Sequence, residues 1–272
     1  MTEVTLTTRA RLLEVFVGRA GAVTGTLVAA TLLLADHVSR AASRPALVGI
    51  GPGAPLDLVV LRLRAVGEGL GGSAAIAVAL GLLGGAWFTR QAVAHVSGRP
   101  VRRVVGGLVA IGVVGAALAA FAGGALALGL GAVARWSGLT YPSDGPDPML
   151  EAAIASVSAL VALASVSALS LVAKTRLALG GAASLLRAWV GAASDLAGAP
   201  RVALALVALR FVELLAPLVA LVAWRGLDVA PGNEGSLAAS GATWFVAALL
   251  VASGAWTLAL ASAARIAGRR TP

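Results

Sequence analysis

The chain has 272 residues, of which 59% are hydrophobic and only 12% charged, with a mean hydropathy of +0.93. A soluble domain of this size carries about 25% charged residues and could not cover its surface with so few. The chain contains no Cys, which excludes disulfide frameworks, zinc–thiolate sites and cysteine nucleophiles, and its two His leave little for a metal centre. The composition is that of an all-α, polytopic membrane protein, read as one integral domain covering residues 1–272.

A bilayer core of about 30 Å takes roughly 20 apolar helical residues. In chain order, residues 5–18 repeat Leu6, Ala10, Leu13 and Val17 at helical spacing with Arg9, Arg11 and Arg19 around them. This predicts an amphipathic helix lying on the cytoplasmic leaflet. Charge-free runs then predict six spans, at about 20–36, 69–89, 104–134, 152–173, 202–223 and 241–264. Two further surface helices are predicted. One covers 55–68, opened by Pro55 with Leu56, Val59, Val60 and Leu63 on its apolar side. The other covers 177–196, with Leu179, Leu186, Trp189, Val190 and Leu196 apolar. A long basic leader containing Glu3 and Glu14 does not suit a cleaved signal peptide. Turn-rich loops at 141–148 and 231–236 are short, so their flanking spans should pack as antiparallel neighbours.

Orientation follows from the basic residues. An N-terminus in the cytoplasm places Arg9, Arg11, Arg19, Arg90, Arg99, Arg102, Arg103, Lys174, Arg176, Arg187, Arg201, Arg265, Arg269 and Arg270 on one side. Only Arg40, Arg44, Arg62, Arg64, Arg135 and Arg225 fall on the other. The positive-inside rule then puts both termini in the cytoplasm, in a bacterial inner membrane. Trp87, Trp136, Trp224 and Trp244 sit near predicted span ends, as interfacial anchors do. A net charge of +9 is explained by this topology, because the basic residues are spread over several segments rather than gathered on one folded face. Nucleic acid is not an expected partner; the bilayer and anionic lipids on its cytoplasmic side are.

Small residues mark expected helix contacts. Gly67/Gly71, Gly81/Gly85 and Gly112/Ala116 are small-xxx-small pairs, and span four carries Ser156, Ser167 and Ser170 on one side with Ser158 and Ser165 nearly opposite. Span five holds the expensive feature. Arg210 and Glu213 are the only charges well inside a long apolar run, and Pro217 cannot donate to the Glu213 carbonyl four residues earlier. Two readings stand: a substrate-coordinating site with Glu213 as titrating group and Arg210 as anion anchor, or a self-neutralised ion pair that fixes packing.

No HExxH, GxSxG or phosphate-loop spacing is present, and His37 and His95 fall on opposite sides of the membrane. No cofactor, metal or catalytic residue is therefore expected. The expected function is a non-enzymatic membrane subunit or scaffold of a larger assembly, with membrane-protein partners or further copies of the chain. The alternative is a transport permease subunit built around Arg210/Glu213. Six spans, both ends inside and an N-terminal interfacial helix resemble the general plan of ABC-type export permeases, in architecture alone and with no shared motif.

Overall fold

The computed structural model describes residues 9–26, 82–101, 104–136, 148–180, 182, 184–225 and 234–268. Among these, seven helices form: α1 over residues 9–26, α2 over 82–97, α3 Val105–Trp136, α4 Pro148–Ala178, α5 Leu185–Ala197, α6 Pro200–Arg225 and α7 Glu234–Gly268. Four of them are long and apolar enough to cross a membrane, through Val105–Ala134, Ala153–Ala178, Pro200–Ala220 and Ser240–Gly268. The shortest of these has 21 residues and rises about 31 Å, enough for the hydrocarbon layer; the 30-residue run in α3 is long enough to cross at a tilt. The protein is thus an all-helical bundle of membrane type. Of the two other expected spans, residues 20–26 and 82–89 are helical. The rest of both, with the expected helix at 55–68, Gly67, Gly71 and Gly81, lies outside the described residues.

The chain separates into two compact units, residues 1–20 with 88–272, and residues 21–87. Apolar runs reveal which segments enter lipid but not which pack together. In the second unit the described residues 21–26 and 82–87 are helical. Everything below concerns the first unit.

Helix ends follow local chemistry. Pro148 and Pro200 open α4 and α6, where a missing N–H costs nothing. Ser184 caps α5 by accepting a hydrogen bond from the Arg187 amide at 3.3 Å. Gly98 (φ 63°) and Gly180 (φ 79°) take the left-handed conformation just past α2 and α4, which a residue with a Cβ adopts at a cost. The Gly98 amide bonds Ala94 O at 3.0 Å and the Gly180 amide bonds Leu177 O at 3.3 Å.

α3 packs chiefly on α4, and α6 on α7, as the short loops between them imply. On α3 the close approaches are made by Gly107 beside Leu177, Gly115 beside Ser170 and Gly123 beside Ala159, an antiparallel seam with an eight-residue spacing. Of the Gly112/Ala116 pair, Gly112 is half-buried and Ala116 exposed. α4 also touches α5, α6 and α7 and is the hub of the bundle. The core lies at one end of it, where Ala164, Ala168, Val172 and Thr175 of α4 meet Leu108 and Ile111 of α3, Val93 of α2, Ala188 of α5 and Ala259 and Leu260 of α7, all buried.

Two expectations for the surface helices change. The segment expected to lie flat over 5–18 is helical from residue 9 and runs lengthwise beside α2 and α7: Gly18 faces Phe88, Phe16 lies near Gly254, and His95 Nε2 pairs with Glu14. The expected apolar stripe stays outward, with Leu13 62% and Val17 60% exposed, while Val15 is buried and Phe16 half-buried on the side that meets the bundle. The expected helix at 177–196 is divided, with Leu177 and Ala178 closing α4 and α5 beginning at Leu185. On α5, Leu186 is 74% and Val190 62% exposed, whereas Ala188, Ala192 and Asp195 are buried.

Candidate functional site

The polar centre of the bundle is assembled by four helices. Glu213 stands halfway along α6, about 20 Å from its first residue at 1.5 Å per residue. Its two carboxylate oxygens serve two guanidiniums. Oε2 accepts from Arg210 Nη1 one turn earlier, and Oε1 accepts from Arg19 Nη2 of α1 at 3.4 Å. The side chains of all three are mostly buried. Arg210 turns its Nε to Ser167 Oγ of α4, so α6 is tied to α4 through one of the serines the sequence singles out. The Arg19 guanidinium lies 4.8 Å from the centre of the Trp256 ring of α7, whose other contact is Phe88 of α2 at 5.5 Å with the rings tilted by 40°. Trp is the best aromatic platform for a cation, and burial strengthens the attraction.

Arg19 is the residue that sequence reasoning misplaced. It precedes an apolar run and was counted among the cytoplasmic-side basic residues, whereas it reaches the middle of α6. Because α1 lies along α7, the ten residues from Arg9 to Arg19 already climb about 15 Å through the bundle. Lys174 was likewise counted on the cytoplasmic side, one residue past the expected span. It lies in α4, seven residues and so two turns after Ser167 on the same face, and its charged neighbours are Arg210 and Arg19. Among the described residues two guanidiniums therefore share one carboxylate, with the Lys174 ammonium near both guanidiniums.

Pro217 lies inside α6, and the helix continues through it to Arg225. The proline leaves the Glu213 carbonyl without the amide that would bond it in an unbroken helix. A backbone acceptor and the cation cluster thus share one level of the bundle.

The remaining serines part company. Ser158 is fully buried and its hydroxyl has no hydrogen-bond partner among the described residues. Ser170 bonds Val166 O of its own helix at 2.7 Å, while Ser156 and Ser165 are exposed. Of the interfacial tryptophans, Trp87 and Trp136 are largely exposed, and Trp244 lies half-open against α6 beside Val212, Val219 and Ala220. Trp224 lies in α6, and Gly85 is half-buried in α2.

A second buried charge pair went unpredicted. Arg176 of α4 donates through Nη1 to Asp195 of α5 and, at 2.9 Å, to Gly191 O. The Asp195 side chain is 1% exposed. Gly191 has no room for a side chain, since a Cβ would stand 2.6 Å from the Arg176 guanidinium carbon. The signal was present as Ala188, Ala192 and Asp195 at helical spacing, but the larger apolar residues on the other face masked it.

Compared with known protein families, with curated proteins and with solved structures, the chain matches none. The class of protein is defined by the fold alone, and its function must be argued from these side chains.

Proposed function

We propose that the chain is a six-span protein of a bacterial inner membrane, with both termini cytoplasmic, serving without chemistry of its own as a membrane subunit of a larger assembly. One observation carries the reading. Among its described side chains α6 buries only Leu206 and Ala220 within its own fold, and α3 and α7 also present Val113, Phe121, Leu128, Val251 and Leu258 outward. Helices so little covered by their own chain need lipid or neighbouring helices around them. Solubilising the tagged full chain from its native membrane in mild detergent tests this. Migration as a complex with a stoichiometric membrane partner, or with further copies, is the expected result; a chain that runs as a lone monomer sinks it.

The centre around Glu213 favours a second reading, a transport permease subunit for an anionic substrate. A self-neutralised pair would need one cation for one carboxylate, whereas Arg19 and Arg210 both pair with Glu213. Unbalanced charge in a low-dielectric interior is expensive, so it is retained where an anion visits or where water enters. Measuring flux in proteoliposomes alongside assembly for Glu213→Gln and Arg210→Gln separates the two readings. Lost flux with intact assembly supports the permease; unchanged behaviour in both variants leaves a packing role only.

A further inference from the structure

At the end of the bundle formed by the close of α2, α4 and α7 and the start of described α1, a cavity of about 370 Å³ opens beside the core. It lies within the first unit and is separate from the Glu213 centre. Its cationic lining comes from three different elements: Arg11 of α1, Arg99 of the turn after α2, and Arg265 of α7. Its other wall is apolar, built from Leu12, Leu179 and Ala264.

The turn that carries Arg99 is specifically shaped. Gly98 adopts φ 63°, and Ser97 Oγ accepts a hydrogen bond from the Arg99 amide at 3.3 Å. Gly98 also makes room for its neighbour, because a Cβ there would stand 2.8 Å from Arg11 Nη1. The Arg11 guanidinium therefore lies directly over a turn with no side chain. In the sequence Arg102–Arg103 and Arg269–Arg270 follow within a few residues of this lining.

We infer that this cavity is a binding site for the phosphate headgroup of an anionic phospholipid, the guanidiniums taking the phosphate and the Leu12/Leu179/Ala264 wall taking the start of the acyl chains. Three observations select that ligand. Guanidinium forks match phosphate oxygens. A cavity with one charged and one apolar wall suits an amphiphile better than a free ion. Basic pockets between spans at the cytoplasmic side are where lipid headgroups are held, and the volume falls within the range of ligand pockets. The inference rests on the membrane reading and on the cytoplasmic placement of this end.

The test uses the full chain in nanodiscs of phosphatidylcholine doped with phosphatidylglycerol, followed by detergent exchange and mass spectrometry of the retained lipid. The wild type is expected to keep phosphatidylglycerol and shed phosphatidylcholine. Loss of one cationic contact weakens retention ~5-fold, as in Arg265→Gln, and loss of all three in R11Q/R99Q/R265Q about 100-fold. The Arg265 side chain is exposed, so the single variant keeps the fold readable if the triple variant does not assemble. Arg201→Gln removes an equal charge from exposed residue 201 outside the cavity and should leave retention unchanged. Equal losses for Arg201→Gln and Arg265→Gln would reduce the effect to diffuse surface charge and overturn the site. Displacement of the lipid by millimolar inorganic phosphate would overturn it in favour of a free anion. Failure of the membrane reading itself looks different, since the wild type would then not enter nanodiscs at all.

Discussion

Glu213 holds two arginines, and that asymmetry decides what each substitution does. Glu213→Gln leaves Arg19 and Arg210 without their carboxylate, whereas Arg19→Gln removes one cation from a cluster that has too many. Glu213→Gln should therefore cost about 3 kcal/mol, the range for breaking a buried pair. Arg19→Gln should cost clearly less, losing mainly its contact with Trp256. Thermal unfolding of the purified variants in one detergent ranks them; the reverse order would show that Arg19 is held by something other than this carboxylate. Asp195→Asn belongs to the same scale. It leaves Arg176 with Gly191 O but no counter-charge, at a comparable cost, and it acts locally by releasing α5 from α4. Amide hydrogen exchange should then speed up across Leu185–Ala197 while α3 stays protected.

Among the elements, the α3/α4 seam shows how much a helix contact depends on the absence of side chains. A Cβ on Gly123 would lie 3.2 Å from the Ala159 Cα, a backbone atom that cannot rotate aside, while Gly124 has nothing within 4 Å among the described residues. Gly123→Val should destabilise by about 2 kcal/mol through overpacking. Gly124→Val should change the unfolding temperature little, since its side chain would project into open space. The helices themselves were legible in the sequence. Val105–Trp136 and Pro200–Arg225 lie within two residues of the expected spans, because a long apolar run bounded by Pro, Gly or Arg leaves a helix few other ends. α4 runs past its expected end by a full turn. Lys174 and Arg176 were read as the edge of the membrane, but Arg176 is neutralised by Asp195 and the helix continues. That compensation is a tertiary contact and leaves no mark in local sequence.

For the whole molecule, the absence of Cys makes topology directly testable. Single substitutions Ser184→Cys and Asp144→Cys should label from opposite sides of intact cells, Ser184 only after the membrane is permeabilised. Labelling of both from outside would invert or break the six-span arrangement.

The sequence by itself determined that the chain is helical, where its longest apolar helices run, and that Arg210 and Glu213 are out of place in an apolar span. Those conclusions follow from the energetics of single helices in lipid, where burying a charge or a backbone amide has a cost that needs no knowledge of neighbours. Only the tertiary structure decided that Arg19 joins that pair, that α1 sets Val15 rather than Leu13 toward the bundle, and that α5 turns Asp195 inward and Leu186 outward. Each of these depends on which partner satisfies a given face, and in a membrane a lipid tail satisfies an apolar face as well as a leucine does.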